Sequence, residues 1–579
     1  MKRYFKYIKP YWIFFVLSPL LMVVEVYADV LMPALAADVI DIGVASGEAS
    51  TLGILALKMF GVFVMAILSG TGAAYAATKA SVEFAHDLRE DIFTKIQSFS
   101  FQNIDKFSTG SLVTRLTNDI TQLQQLVVIA LRMAFRAPGL LVGAMIMAFT
   151  INAKLAIIFV VIVPILAIII ALVLYFAYKK FALLQIKVDA LNTTVQEILT
   201  NIRIVKALTR EKYEADRFDD VNDDLKTTGL QAFRITILQT PAMTILVNAG
   251  TIAILWFGAT AFNNGEIAIG SISALITYLA QILGSVGMLA NVFMQASRAI
   301  VSGKRVSEIL DEEVDISDDN AKKLDKTVNS GDVVFENVNF KYYKNNKELV
   351  LSNINIHIKS GETVGIIGST GCGKTSFVHL IPRLYDADAG NVYVDGTNVK
   401  DYSLKNLRDG VAMVLQNNLL FTGTIKENLM WGDQNATDED ITNVADWAAA
   451  SDFIEATEDG YETFIDQGGL NFSGGQKQRL CIARALIKKT KVLILDDSTS
   501  AVDTATESRI RSHLYSDLGD VTKIIIAQRI SSVINADKII VMNDGHITNM
   551  GTHDELMESS EIYNEIYNSQ MESGGSDNV

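Results

Sequence analysis

Residues 368–375 read GSTGCGKT, a spacing suited to holding phosphate. Glycines let consecutive backbone N–H groups turn inward around phosphate oxygens. Strand-like TVGII precedes the loop and helix-like FVHLIPRLY follows it, so a helix N-terminus would add its dipole. In this pattern Lys374 can reach the β- and γ-phosphates and the Thr375 hydroxyl can ligate Mg²⁺. The loop alone leaves the class of nucleotide hydrolase open. A second stretch, Lys491–Asp503, reads KVLILDDSTSAVD. Its apolar run ends in Asp496 and Asp497, as a buried parallel strand would deliver carboxylates to the edge of a sheet. Asp497 is the oddity, because the carboxylate that polarises a water beside a γ-phosphate is more usually Glu. A third stretch, NFSGGQKQR from Asn471, opens a helical segment. There Ser473, Gly474 and Gly475 either offer N–H groups to an anion or form a simple turn with Ser as N-cap.

Elements able to position these groups follow from the pattern around them. From Val333 onward, short β runs (VVFENVNF, IHI, TVGIIG, NVYVDG, GVAMVLQ, KVLILDD, KIIIAQ, KIIVM) alternate with helical segments. This predicts an α/β domain with a partly parallel core over 332–570 and a flexible tail over 571–579. The polar, acidic 311–331 reads as an exposed linker.

Residues 1–310 are different in kind. Half of the whole chain is hydrophobic, mean hydropathy is +0.27, and the long apolar stretches crowd this half. Six spans of roughly 20 or more residues are expected near 13–37, 53–80, 127–150, 154–178, 240–262 and 270–297. The leading KRYFKYIKPYW suits either a short interfacial helix or a basic flank. IGVASGEAST and FNNGEIAIG lack Lys and Arg, whereas the long stretches Lys79–Arg115 and Lys179–Lys226 carry them. The charge rule then puts both termini in the cytoplasm. Apolar spacing continues as helix into the two long stretches, and at their tips QNIDKFSTG and TREKYEADRF could make short helices or plain capped turns. Glu25, Asp29, Arg132, Arg136, Asn248 and Gln281 fall within spans; they either line a cavity or bond to neighbouring helices. Asp38 and Asp41, at the outer end of the first span, read as interfacial carboxylates or parts of an external gate.

Net charge is −15, which argues against a nucleic-acid partner. Two cysteines, Cys372 and Cys481, make a disulfide framework implausible and fit a reducing compartment. Cys372 lies inside the phosphate loop, either as a reactive thiol whose labelling would block ATP binding or as a small filler.

GSTGCGKT, then SGGQ, then LILDD, in that order and spacing, resemble the ATP-binding-cassette proteins. Six spans ahead of one cassette resemble a half-transporter of the exporter type (type IV), and the likeness covers essentially the whole chain. The resemblance implies an all-α six-helix transmembrane domain followed by an α/β P-loop cassette, with ATP and Mg²⁺ as cofactors. It implies that ATP is held by Gly368, Ser369, Thr370, Gly371, Cys372, Gly373, Lys374, Thr375 and Ser376, with Tyr342 (or, less fittingly, Tyr343) stacked on adenine. Gln416 and Asp496 join Thr375 around the metal. Ser473, Gly474, Gly475 and Gln476 serve the ATP of a second cassette, and Asp503 marks the loop that crosses the dimer. The two cytoplasmic tips become coupling helices.

Three positions depart from the family's pattern: Asp497 for Glu, Gln528 for His, and Gln467 for a Glu before the signature. Asp places its carboxylate about 1.5 Å short of a water that needs ~3 Å geometry. A shortfall on that scale can cost ~100-fold in rate. Gln528 can bond phosphate but cannot carry the charge of His. Phe472 replaces a more usual Leu, yet the signature is otherwise complete. This combination resembles the degenerate-site subunit of bacterial heterodimeric multidrug exporters, a multi-pass protein of the cell membrane. The expected partners are a second half-transporter, the lipid bilayer and a hydrophobic or lipid-like substrate. Alternatives are a homodimeric exporter of lipids or peptides with slow hydrolysis, and an ATP-gated channel or regulatory subunit.

Overall fold

The structure, a computed structural model, describes residues 2–319, 321–343 and 348–574. The chain divides into two compact units: Met1–Gln97 with Thr109–Asp311, and Ser98–Ser108 with Glu312–Val579.

In chain order the helices are α1 (Trp12–Asp38), α2 (Ala49–Gln97), α3 (Phe101–Lys106), α4 (Ile120–Ile151), α5 (Ala153–Thr200), α6 (Ile202–Ala207), α7 (Glu211–Ile237), α8 (Gln239–Asn263) and α9 (Ile269–Asp311). All but α3 belong to the first unit. Among the described residues six helical runs are long and apolar enough to cross a membrane. Continuous helix carries the chain well past each apolar stretch, as in α2 and α5, because the apolar spacing persists there. Small residues set how closely the helices approach. A Cβ at Gly72 would sit 2.9 Å from Leu21, and one at Gly139 or Gly143 would sit 2.9 Å from Val26 or Val30. Without those side chains α1 lies tight against α2 and α4, the packing that gains most where water supplies no driving force. Large side chains such as Leu57, Phe60 and Trp256 face outward instead, as a lipid-facing surface permits.

The leading segment forms short helical turns over Lys2–Tyr11. They are packed: Tyr4 donates to the Gly303 carbonyl at 2.8 Å and Tyr7 to Asp91 at 2.9 Å. Asp41 accepts from the backbone N–H groups of Gly270 and Ser271, so it satisfies the start of α9. The second tip differs from expectation. Its short helix is Ile202–Ala207, not TREKYEADRF. Thr209 takes a positive φ of 55°, which turns the chain, and Glu211 already begins α7.

The second unit holds β1 (Val333–Phe340), β2 (Leu351–Ile358), β3 (Thr363–Gly368), α10 (Lys374–His379), β4 (Ala389–Val394), β5 (Val411–Val414), α11 (Gly474–Leu486), β6 (Val492–Asp496), α12 (Thr504–Ser516), β7 (Thr522–Ile526), β8 (Lys538–Asn543) and β9 (His546–Gly551). The main sheet runs β9-β8-β3-β7-β6-β5. Its five inner and far strands are parallel and β9 pairs antiparallel at the edge. A second, antiparallel sheet is built on β2-β1-β4. All five residues of β6 are buried, the mark of a central parallel strand. The expected helix FVHLIPRLY stops at His379. Pro382 cannot donate a helical hydrogen bond, and Arg383 has a φ of 52°.

Candidate functional site

Parallel strands bring the carboxyl ends of β3, β6 and β7 level, since Ile526 pairs with both Ile366 and Asp496. A cavity of about 620 Å³ opens beyond them. Its walls include Tyr342, the phosphate-loop residues Gly368–Gly371 and Gly373–Ser376, Gln416, Asp496, Asp497 and Gln528. The topology thus gathers residues from five separate segments at the sheet edge, the usual place for ligands in such sheets.

The loop's geometry depends on Gly373. Its φ is 97°, and a Cβ there would approach the Val350 carbonyl oxygen to 2.9 Å. Lys374 folds its ammonium onto the carbonyls of Gly368 and Ser369 at 2.8 and 2.9 Å, keeping the charge at the loop's mouth. Cys372 is 3% exposed and packs into the core with Phe377 and Val378. It therefore contributes backbone rather than a reactive thiol, and the filler alternative is the one the structure favours. Tyr342 shares a hydrogen bond of 2.7 Å with Ser376, and burial holds its phenol above the usual range.

Around the expected metal position, Thr375 donates to Asp496 Oδ1 at 3.1 Å. Asp496 Oδ2 is buried with no hydrogen-bond partner among the described residues. Burial pushes this carboxyl up to about 6, with the neighbouring Asp497 adding to the effect and the Thr375 bond opposing it. An orphaned carboxylate oxygen beside a hydroxyl fits a hard dication with oxygen ligands, so these residues suit Mg²⁺.

Asp497 has a φ of 49°, an unfavourable conformation for a non-glycine residue that surroundings must impose. Gln528 donates to its Oδ2 at 2.6 Å. Burial raises the Asp497 carboxyl, while bonds from Gln528 and Gln416 counter that. The two departing residues are therefore direct partners.

Ser473–Gln476 take no part in this cavity. Ser473 caps α11, accepting from the Gln476 N–H while Gln476 accepts from the Ser473 N–H. Ser473 and Gly474 are exposed. Gly475 lies against the following loop, where a Cβ would meet the Ala501 carbonyl at 2.9 Å. Asp503 caps α12 through the Thr506 N–H. Gln467 sits in a short turn ahead of the signature.

Residues 15–286 match the family described as the ABC transporter transmembrane region, and residues 351–500 match the family described as ABC transporter. An uncharacterized ABC transporter ATP-binding protein of Bacillus subtilis, YfiB, is 36% identical over 100% of both chains. This chain belongs to the ABC transporter family. An ATP-dependent lipid A-core flippase of Desulfotalea psychrophila is 34% identical over 84% of each chain. A bacterial Atm1-family ABC exporter solved with ATP bound shares the fold, with a TM-score of 0.78 at 23% identity, over 97% of this chain and 98% of that one. The chain thus combines six candidate membrane spans with a cassette that implies ATP-coupled transport.

One feature of the cassette escaped the sequence. Gln478, read only as part of a helix, is buried; it accepts from the Ala501 N–H at 2.9 Å and donates to Ser500. It ties α11 to the loop carrying Asp497. The signal was a Gln on the same helical face as Cys481 and Ile482, where a buried polar group must have found partners. The first tip, expected as a short helix touching a soluble part, lies in Ser98–Ser108, which packs as part of the cassette unit. Tyr385 donates to Asp105 at 2.6 Å; Phe101 lies edge-on to Tyr385; Asn103 donates to the Glu313 carbonyl at 2.9 Å. His379 stacks on Tyr385, and burial pushes its pKa down to about 4 against the pull of Asp105. No sequence period announces contacts between residues so far apart in the chain.

Proposed function

We propose that the chain is one half of an asymmetric, ATP-driven exporter of lipophilic compounds. It would hold ATP at a weak site of its own and lend an intact signature to a partner's active site. The observation that carries this reading is the Gln528–Asp497 hydrogen bond, set beside a signature, whole but for Phe472, that does not line the cavity at the chain's own phosphate loop. The carboxylate best placed to polarise water is one methylene short and is held by an amide instead of by an imidazole. The signature's N–H groups have no phosphate to serve within the chain, so a second cassette must supply one. When bound, Mg²⁺ would neutralise phosphate charge from Thr375, Asp496 and Gln416. Lys374 and the loop's N–H groups would hold the phosphates, and Tyr342 the base.

The exposed second tip supports a partner as well. Ile202, Ile204 and Leu208 of α6 and its end stand open to solvent, an apolar face suited to the other chain's cassette. Both termini lie in the cytoplasm and the protein resides in the plasma membrane. The substrate is hydrophobic or lipid-like. Steady-state ATPase tests the reading. Alone, the chain should turn over slowly. The Asp497→Glu/Gln528→His double variant should gain at least tenfold once the chain is assembled with a half-transporter partner. Fast, substrate-stimulated turnover by the unmodified chain alone would overturn it. That outcome would favour a homodimeric exporter, a reading supported by the likeness to a lipid A-core flippase.

A further inference from the structure

Three charged side chains meet inside the membrane unit. Arg136 of α4 bonds through Nη1 to Glu25 of α1 and through Nη2 to Asp29 of α1 at 2.8 Å. The side chain of Glu25 is only 10% exposed, whereas Arg136 and Asp29 are each 28% exposed. Charges in a span are costly and persist where they serve a ligand or pathway. One guanidinium against two carboxylates leaves a net negative group. Gln281 of α9 extends it, donating through Nε2 to the Asp29 carbonyl at 3.1 Å.

The unfilled hydrogen-bonding capacity on Glu25 and Gln281 has a definite character. Glu25 Oε2 and Gln281 Oε1 are buried without partners among the described residues. Both are acceptors, and the amide of Gln281 cannot turn its donor toward the site without giving up the Asp29 carbonyl. Glu25 owes its position to Gly70, where a Cβ would sit 2.9 Å from its carboxylate. Arg132, one turn earlier on α4, has a buried Nε with no partner and forms no ion pair with these carboxylates among the described residues. A group that would satisfy two spare acceptors and an excess negative charge is a cation with several N–H donors.

We propose that this cluster is a binding site for the protonated primary amine of an amphiphilic substrate, entered from the open side at Asp29. The ammonium bonds to Asp29, Gln281 and Glu25 while its apolar chain lies among the helices. A trimethylammonium group has the charge but no N–H, so it should bind poorly. This inference deepens the exporter reading and rests on it for the amine being cargo.

The test measures binding, not transport. Full-length protein in nanodiscs, without nucleotide and at pH 7, is titrated with radiolabelled dodecylamine, with empty nanodiscs subtracted. Dodecyltrimethylammonium, dodecanol and dodecyl sulfate compete in parallel. The expected result is saturable dodecylamine binding, at least tenfold weaker competition by dodecyltrimethylammonium, and none by dodecanol or dodecyl sulfate. Glu25→Gln and Gln281→Leu should each weaken binding at least tenfold while Mg-ATP binding persists. Equal competition by dodecanol or dodecyltrimethylammonium overturns the proposal, and so does unchanged affinity in both variants. If neither variant folds, the competition series on the unmodified protein decides. ATP-driven dodecylamine uptake in inside-out vesicles that carry the chain assembled with its half-transporter partner separates the two readings. Binding without uptake sinks export of the amine and leaves the site standing. Uptake unaccompanied by saturable binding sinks the site and leaves export standing.

Discussion

Two glycine-rich turns open two helices of the same cassette, and they meet different fates. Gly368–Thr375 leads into α10 at the end of a parallel strand, where β6 and β7 bring Asp496, Asp497 and Gln528 alongside. Ser473–Gln476 leads into α11, caps itself, and does not line that cavity. Both turns present N–H groups at a helix start. Only the first is surrounded by groups that complete a nucleotide site. Helix N-termini attract anions generally, but catalysis needs the convergence that strand order supplies. In the proposed reading the signature is half of a site whose other half lies on another chain.

The largest effect should come from breaking the complete site. Lys374→Ala should lower ATP affinity of the purified chain by ~100-fold or more, since a charge-assisted contact to phosphate is lost. Equilibrium binding of a fluorescent ATP analogue reads this. The mirror experiment strikes the incomplete turn. Gly475→Ala adds a Cβ against the Ala501 carbonyl and should cut the assembled transporter's ATPase by about 10- to 100-fold. ATP affinity of the single chain should stay within about twofold, because the turn does not line its cavity. If affinity falls as steeply as turnover, the division between the two turns is wrong.

A smaller effect should follow where the cassette holds its membrane-derived tip. Tyr385→Phe removes the bond to Asp105 and should cost the second unit about 1 kcal/mol. Substrate stimulation of ATPase should fall further than basal turnover. The same unit should also show a pH effect at His379. Burial depresses its pKa to about 4, so the unfolded chain takes up a proton near 6.5 and the folded chain does not. Its stabilising contribution is complete above about pH 6.5 and is lost as pH falls toward 4, by about 2 kcal/mol at pH 5. Thermal melts at pH 7.5 and pH 5 should show a drop that His379→Leu reduces.

Much of this was legible in the residues. The phosphate loop, the signature and the acidic strand end are local patterns, and their chemistry follows from backbone N–H groups, glycine freedom and carboxylate position. The six spans and their helical extensions follow from composition and period alone. What tertiary structure decided are relations between distant segments. It made Gln528 the partner of Asp497, buried Cys372, brought Gln478 to the loop that follows β6, and packed residues 98–108 with the cassette. It ended α10 at His379 and moved the second tip to Ile202–Ala207. It also turned scattered charges in apolar spans into one bonded cluster, Glu25, Asp29 and Arg136. Local periodicity records which face of an element is apolar. It carries no record of which other element that face will meet, because packing selects partners by shape and unfilled hydrogen bonds across the whole chain.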